Sequence, residues 1–319
     1  MTDLAAILER GIMLLHRHSD SPTLDAEVLL SSLIKKPKSF LLIHPSVSLS
    51  VRTEKKFFEM IDRRKTGMPL AYLLGKKEFY GRPFRVSPNA LVPRPETEGL
   101  VELVLADCKA VPAPKPLRIL DVGTGSGCII ITLCLELGAE NFEFFGCDVS
   151  SDALESAKAN AKLLGAAIHW KKSDLLEGLT GQFDVVAANL PYLTDKQFSQ
   201  LRNKLRFEPK IALTDGSTNW RCIQKLLAQM PKFLNTEGKV YLEIEPTGKK
   251  LLAQTVKQCF PESRVNFFKD LTGANRYLRI SGAPRAESVA PNFRRPSTQL
   301  RSLRATSSGV EMVAPRPCS

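Results

Sequence analysis

Over residues 1–74 apolar positions recur at helical spacing and almost never alternate in the manner of a strand. In DAEVLLSSLIKK, Ala26, Leu29, Leu30 and Leu33 fall at i, i+3, i+4 and i+7, which predicts an amphipathic helix. VRTEKKFFEMIDRRK sets Phe57, Phe58 and Ile61 on one face with basic residues around them. The two stretches predict a small helical domain over 1–74. From Glu78 the chain turns to short apolar runs with turn residues: Gly81 and Pro83 predict a hairpin turn, and Pro88, Pro93 and Pro95 exclude a helix. Helical spacing returns from Thr97 to Leu105 and stops before the Pro-rich VPAPKP at 111–116.

Beyond it, strand and helix patterns alternate. LRILDVG (117–123) reads as a buried strand, CIIITLCLELG (128–138) as a helix stopped by Gly138, and FEFFGCD (142–148) as a second strand. Ser151 is the expected cap of a helix whose Leu154, Ala157, Ala161 and Leu164 share a face and which Gly165 ends. IHWKKSD and FDVVAANLPY are strands three and four, KVYLEIE (239–245) a fifth, and RVNFFKD with RYLRIS a closing pair. Such alternation predicts an α/β fold with a mostly parallel, doubly wound, Rossmann-like sheet, here placed in a second domain over 75–283 together with the linker hairpin. Residues 284–319 hold five prolines and only isolated apolar residues, which predicts a disordered basic tail.

With 319 residues, 43% of them hydrophobic and 24% charged, the chain is long and apolar enough to bury a core without disulfides. No run of 18 apolar residues occurs, and Asp3 and Glu9 stand where a secretory signal needs a basic start and an apolar core, so a cytoplasmic protein with no membrane contact is expected. The seven cysteines form no CxxC pair, which suits reduced thiols, and with four scattered histidines no metal site is expected. Of the net charge of +12, the tail's six Arg and two Glu carry +4, leaving +8 for the rest. That balance permits an RNA or acidic-protein partner but identifies none, and it also serves solubility alone.

Asp121-Val-Gly123-Thr124-Gly125-Ser-Gly127 closes the first strand of the alternating region and opens a helix. A dinucleotide fingerprint needs its third small residue where Cys128 stands, so the spacing disfavours NAD. It is similar to the D-x-G-x-G-x-G loop of methyltransferases that use S-adenosyl-L-methionine, with Asp121, Gly123, Thr124, Gly125 and Gly127 as cofactor-binding residues. Asp148, 21 residues after Gly127 at the end of strand two, is placed to accept both ribose hydroxyls, and Asp174 after strand three to reach the adenine amino group. A solvated turn aspartate is an equal reading of Asp174.

Asn189-Leu190-Pro191-Tyr192 follows a buried strand, at the carboxyl end of the sheet where doubly wound folds bind ligands. An amide or amino nitrogen accepts a methyl group when its N–H bonds are held and its lone pair is left facing the donor. The Asn189 side-chain oxygen and the Leu190 carbonyl can take those two N–H groups, Pro191 stiffens the turn and the Tyr192 ring can cover a planar acceptor. Asn189 is also expected among the cofactor-binding residues. The plain alternative for this tetrapeptide is a strand-ending turn, which Asn and Pro also favour.

Over residues 1 to about 282 the chain resembles the HemK or PrmC family of protein-(glutamine-N5) methyltransferases, through DAEVLL, RRKTGMPLAYLLGKKEFYGRPFRVSPNALVPRPETE, ILDVGTGSG, FDVVAANLPY, RFEP, YLEIE and KDLTGANRYL. LVPRPETE (91–98) is the most specific of these. The resemblance implies transfer of a methyl group to the glutamine of the Gly-Gly-Gln motif in peptide chain release factors, by a monomer with no direct nucleic-acid substrate. It also implies that Arg94, Glu96 and Glu98 belong to the cleft, that Asn189, Pro191 and Tyr192 are catalytic, and that the helical domain grips the release factor. Leu190 replaces the family's usual first Pro of Asn-Pro-Pro-Tyr, for which a less rigid loop is expected. Glu245 and Pro246 stand where the family often has a glycine-containing turn. Asn-Leu-Pro-Tyr also resembles the motif of ribosomal RNA adenine N6-methyltransferases, which is the alternative, and a non-catalytic binding protein on the same fold is a third reading.

Overall fold

Local capping and apolar spacing account for the amino-terminal helices of the computed structural model, which describes residues 3–109, 116–217 and 220–282. The expectation of disorder for 284–319 falls outside these residues, as does most of VPAPKP. Helix α1 (Leu4–Leu15) starts where the Asp3 carboxylate accepts the Ala6 N–H at 2.8 Å. Helix α2 (Pro22–Ile34) has proline in its first turn, α3 (Lys38–Ile43) is short, and α5 (Leu70–Leu74) stops at Gly75. In α4 (Val51–Lys65), Ser50 caps the amino end, Glu54 lies in the first turn and Arg63, Arg64 and Lys65 in the last, each sign favouring its end of the helix dipole. Ala26, Leu29, Leu30, Phe57 and Ile61 are fully buried together, while Leu33 and Phe58 pack at the edge. Each buried leucine or phenylalanine contributes about 1.5–3 kcal/mol. The buried Asp25 is held by Arg64 at 2.6 Å and by the Ser19 hydroxyl at 2.7 Å.

Strands β1 (Lys76–Phe79) and β2 (Arg82–Arg85) form the hairpin. Its turn is Tyr80-Gly81, both at positive φ (51° and 70°); Pro83 lies within β2 opposite Glu78, which corrects its placement in the turn. A two-stranded ribbon is all edge, so a residue without an N–H is tolerated there. The next helix, α6, spans Glu96–Cys108.

The main sheet contains β3 (Leu117–Val122), β4 (Phe142–Asp148), β5 (His169–Lys172), β6 (Phe183–Ala188), β7 (Leu234–Glu243), β8 (Arg264–Lys269) and β9 (Asn275–Ser281), in the order β5-β4-β3-β6-β7-β9-β8. The first five are parallel and β9 runs antiparallel to both of its neighbours. Helices α7 (Cys128–Leu137), α8 (Ser151–Leu164), α9 (Asp195–Leu205), α10 (Arg221–Gln229) and α11 (Lys249–Cys259) complete the alternation. Both faces of the sheet are apolar: Leu120, Val186 and Val240 join α10 and α11, whereas Ile119, Ala187 and Tyr241 join α6 and α7. Ser150, not Ser151, caps α8 by accepting the Ala153 N–H at 3.2 Å; Ser151 is already helical. One 3-10 turn, Pro246–Gly248, carries the chain from β7 to α11. The strand order reverses at β3 and β6, since the chain runs outward through β4 and β5 and returns on the other side. Ligand crevices of doubly wound sheets open at the carboxyl ends of such a strand pair.

Candidate active site

The loop after β3 is shaped by its backbone. Gly123, Gly125 and Gly127 have φ of 71°, 56° and 81°, a region that side chains resist. The Gly123 and Thr124 N–H groups both donate to the Cys147 carbonyl at 2.9 Å, and the Gly125 N–H donates to Asp148 Oδ2 at 2.9 Å. Asp148 Oδ1 accepts the Ser150 N–H at 2.9 Å. Burial pushes the Asp148 carboxyl up against these backbone N–H bonds, which favour its charge. A Cβ on Gly125 would meet only the Gly123 carbonyl at 4.0 Å, so the loop is bare there; one on Gly127 would lie 2.7 Å from Ile131 Cδ1 and 3.2 Å from Ala157 Cβ, where α7 and α8 close together. Asp121 lies wholly buried beneath the loop. Its Oδ2 accepts the Thr124 hydroxyl at 2.6 Å, its Oδ1 has no partner, and burial pushes the carboxyl up to about 7.

Across the crevice, the tetrapeptide after β6 is shaped by side chains from elsewhere. Asn189 Nδ2 donates to Glu243 Oε2 at 2.9 Å and to the Thr97 hydroxyl at 3.0 Å, and the Thr97 hydroxyl donates to the same Glu243 oxygen at 2.7 Å. The Tyr192 hydroxyl reaches Glu243 Oε1 at 3.3 Å, and the Trp220 indole N–H donates to the Tyr192 carbonyl at 2.5 Å. Leu190 is 5% exposed, and its Cδ2 lies where a Cβ on Gly123 would come within 2.8 Å. The chain of contacts thus runs from the glycine loop through Leu190 into the tetrapeptide after β6. The expectation of a looser loop at Leu190 meets a packed side chain, with the Trp220 bond holding the same turn.

Between the two lies a cleft of about 340 Å³. Gly123, Thr124, Gly125, Asp148, Asp174, Asn189, Leu190, Pro191 and Arg94 line it. Asp121 and Gly127 lie under the loop, and Tyr192 stands behind the lining against Glu243 and Trp220. Glu96 sits exposed in the first turn of α6, where its carbonyl accepts the Tyr277 hydroxyl at 2.5 Å. Glu98 accepts the Tyr80 N–H at 2.9 Å, so its carboxylate serves the hairpin turn. Asp174 is exposed and paired with Lys225 at 2.6 Å. Arg94 is paired with Glu208 at 2.6 Å; that carboxylate, 3% exposed, also accepts the Val92 N–H at 3.3 Å and so ties the linker to the loop beyond α9. Among the described residues no group of three or more His, Cys, Asp or Glu could hold a metal ion, and no helix is long and apolar enough to cross a membrane.

Sequence reasoning assigned no role to Glu243, Thr97, Glu208 or Trp220. A weak signal existed for two of them: YLEIE puts an acid at the end of a buried strand, on the sheet edge where ligands bind, and RFEP puts one between an aromatic residue and a proline. Nothing local told which groups these acids face.

Comparison with known proteins matches two regions of the chain. Residues 6–75 match the PrmC N-terminal domain and 114–272 a methyltransferase domain. The chain is 33% identical over 265 residues to the release factor glutamine methyltransferase of Nitratidesulfovibrio vulgaris, covering 81% of this chain and 88% of the relative. It is 38% identical over 229 residues to the protein of that name from Koribacter versatilis (70% and 79% covered), and 34% identical over 256 residues to that of Bacillus cereus (79% and 90%). Among solved structures, the hMettl16 catalytic domain in complex with MAT2A 3′UTR hairpin 6 superposes with a TM-score of 0.52 at 14% identity, over 72% of this chain and 84% of that one, a likeness of fold alone. With identity at this level over most of the chain, the chain belongs to the release factor glutamine methyltransferase family.

Proposed function

We propose that this protein transfers a methyl group from S-adenosyl-L-methionine to the side-chain amide nitrogen (N5) of the glutamine in the Gly-Gly-Gln motif of peptide chain release factors, in the cytoplasm. The observation that carries the reading is the orientation of Asn189. Its Nδ2 is committed to Glu243 and Thr97, so the side chain has its oxygen left to offer an N–H-bearing acceptor in the cleft. The names of the relatives, all release factor glutamine methyltransferases, favour this acceptor over adenine in ribosomal RNA.

The residues present fit the cofactor. Asp148 accepts the Gly125 and Ser150 N–H groups on different oxygens, whose further lone pairs can take a ribose hydroxyl, and the bare loop at Gly125 leaves room for close approach. The cleft volume is within the range of small-molecule sites. When bound, S-adenosyl-L-methionine supplies an electrophilic methyl group on a sulfonium sulfur. Asp148 would hold the ribose, Asp174 the adenine amino group, and the Gly123–Gly125 backbone the amino-acid end.

For the acceptor, Asn189 Oδ1 and the Leu190 carbonyl take the two amide N–H groups, while Pro191 in the cleft wall confines the amide plane and Tyr192, behind it, braces the turn through Glu243 and Trp220. Held so, the amide would set its nitrogen lone pair towards the methyl group that S-adenosyl-L-methionine supplies, and the proton displaced by methylation would leave the nitrogen for water. An amide nitrogen is a poor nucleophile, so the residues act by holding it in line and by keeping water from the reacting atoms. Residues 1–74 and Arg94 would hold the release factor itself. The test is transfer of labelled methyl to a purified release factor, beside its Gln→Ala Gly-Gly-Gln mutant and a ribosomal RNA control. Label on the wild-type factor alone is expected; label on RNA, or on the mutant factor, overturns the assignment.

A further inference from the structure

We infer that Glu243 is the positioning residue of the acceptor site: its carboxylate, buried at the carboxyl end of β7, locks the Asn189 amide with Nδ2 inward and Oδ1 outward, and so selects an acceptor that donates N–H over one that is a carboxylate. The inference rests on the reading above that Asn189 receives the acceptor amide.

An asparagine side chain has two faces of nearly equal shape, one donating and one accepting, and only its partners decide which is presented. Here all the deciding partners converge on one carboxylate. Glu243 Oε2 accepts from Asn189 Nδ2 at 2.9 Å and from the Thr97 hydroxyl at 2.7 Å, and Oε1 faces the Tyr192 hydroxyl at 3.3 Å. The Thr97 oxygen accepts the same Nδ2 at 3.0 Å and closes a triangle. Each partner offers hydrogen to Glu243, which suits the ionised, acceptor-only form of the carboxyl group. With Nδ2 outward instead, the site would set a donor against a donor and repel an amide nitrogen.

The carboxylate also has a reason to be charged that packing does not supply. Glu243 is 1% exposed, and an apolar residue of similar volume at that position would spare the fold the desolvation of an ion. Through the Asn189 amide, negative charge behind Nδ2 makes Oδ1 a stronger acceptor, and it does so as the acceptor nitrogen becomes positive on taking the methyl group. The groups that face Glu243 are Arg276 on β9, which favours its charge, and Glu96 on α6, which opposes it, together with Thr97 and the Tyr192 hydroxyl. Cys128 at the start of α7 and Tyr277 on β9 also lie within its field. Burial outweighs Arg276 and the hydroxyl donors and holds the carboxyl above its ordinary value. Positioning by Glu243 therefore fails on its acid side, when the carboxylate takes a proton and ceases to be a pure acceptor.

The experiment compares full-length wild type, Glu243→Gln and Thr97→Val in methyl transfer to a release factor at saturating S-adenosyl-L-methionine, across the acid and neutral range. Glu243→Gln is expected to lower kcat about ten- to a hundredfold, with KM for the release factor and cofactor affinity within about twofold of wild type. The acid limb of the wild-type kcat profile disappears in that variant. Thr97→Val, which removes one arm of the triangle and keeps the carboxylate, lowers kcat about threefold to tenfold and retains the limb. A second readout does not depend on turnover: in nitrogen-15 spectra the Asn189 side-chain amide signals, identified by their loss in Asn189→Ala, titrate with the acid limb in wild type and Thr97→Val and stay fixed in Glu243→Gln. Wild-type kcat and an unchanged pH profile in folded Glu243→Gln overturn the inference, as do Asn189 signals that ignore pH in the wild type. A wild-type enzyme that labels no release factor overturns the proposed acceptor instead, and the amide titration then still decides the role of Glu243.

Discussion

The two sides of the cleft are built by different means. On the glycine-loop side, the groups that set the geometry are mostly backbone: three glycines at positive φ, two N–H groups on one carbonyl, and two more on Asp148. On the acceptor side they are side chains from distant parts of the chain, with Thr97 92 residues and Glu243 54 residues away from Asn189, and Glu208 114 residues away from Arg94. A backbone cradle tolerates exchange of its neighbours' side chains but not an added Cβ. A side-chain wall is expected to tolerate backbone variation but not the loss of one partner.

Removing the central amide should break the acceptor side alone. Asn189→Ala is expected to lower kcat about a thousandfold while S-adenosyl-L-methionine affinity, read by calorimetry, changes less than about threefold. Retained turnover would dissolve the distinction between the two sides. The reciprocal change is Gly127→Ala, which forces an L-residue to φ 81° and a methyl group to 2.7 Å from Ile131 Cδ1. About 3 kcal/mol of stability should be lost, together with cofactor affinity, in a denaturant titration; a neutral outcome would show that the loop and α7 can shift apart.

Smaller effects sharpen the comparison. Glu208→Gln removes the charge opposite Arg94, which is 34% exposed and so partly solvated. A loss of about 1 kcal/mol and a KM for release factor raised about threefold to tenfold are expected, with kcat nearly unchanged, and a double-mutant cycle with Arg94→Ala should give coupling of about 1 kcal/mol. Additive single effects would make the pair a bystander. Last, Asp121 holds its proton up to about 7 in the folded chain against an ordinary 3.8, because burial and the nearby Asp148 charge oppose its ionisation more than the Thr124 hydroxyl favours it. The folded state binds the proton more tightly across that window, so lowering the pH from 7 towards 4 stabilises the ligand-free protein relative to Asp121→Asn. The difference, read from urea midpoints, should change by at most about 1.4 kcal/mol per pH unit; a difference that grows as pH rises would reverse the sign and show Asp121 to be favourably ionised.

Particular residues show where local reading stopped. The glycine loop was legible because Asp121 through Gly127 are contiguous and their conformation depends on glycine at fixed places, independent of what packs above. Asn189 to Tyr192 was legible as chemistry, since the residue types and the strand before them suffice to suggest an amide-binding turn. Its support was not, because Glu243, Thr97 and Trp220 become neighbours of Asn189 and Tyr192 only when β6, β7, α6 and α10 assemble. Pro83 erred in the same way, as a turn former that an edge strand accommodates, and Glu98, beside cleft residues in sequence, turns its carboxylate to the Tyr80 N–H. The cap of α8 was missed by one residue, because two adjacent serines offer the same hydroxyl and only φ and ψ at Ser150 decide between them.

From the sequence alone came the helical amino-terminal region, the alternating α/β sheet, the glycine loop and the acceptor tetrapeptide, all of which follow from periodicity or from contiguous residues whose conformational needs are local. The tertiary structure alone decided which way Asn189 presents its amide, which carboxylate stands behind it, and which partner holds Arg94. Hydrogen bonds between residues far apart in the chain depend on the register and strand order that bring them within 3 Å, and no local pattern encodes that distance.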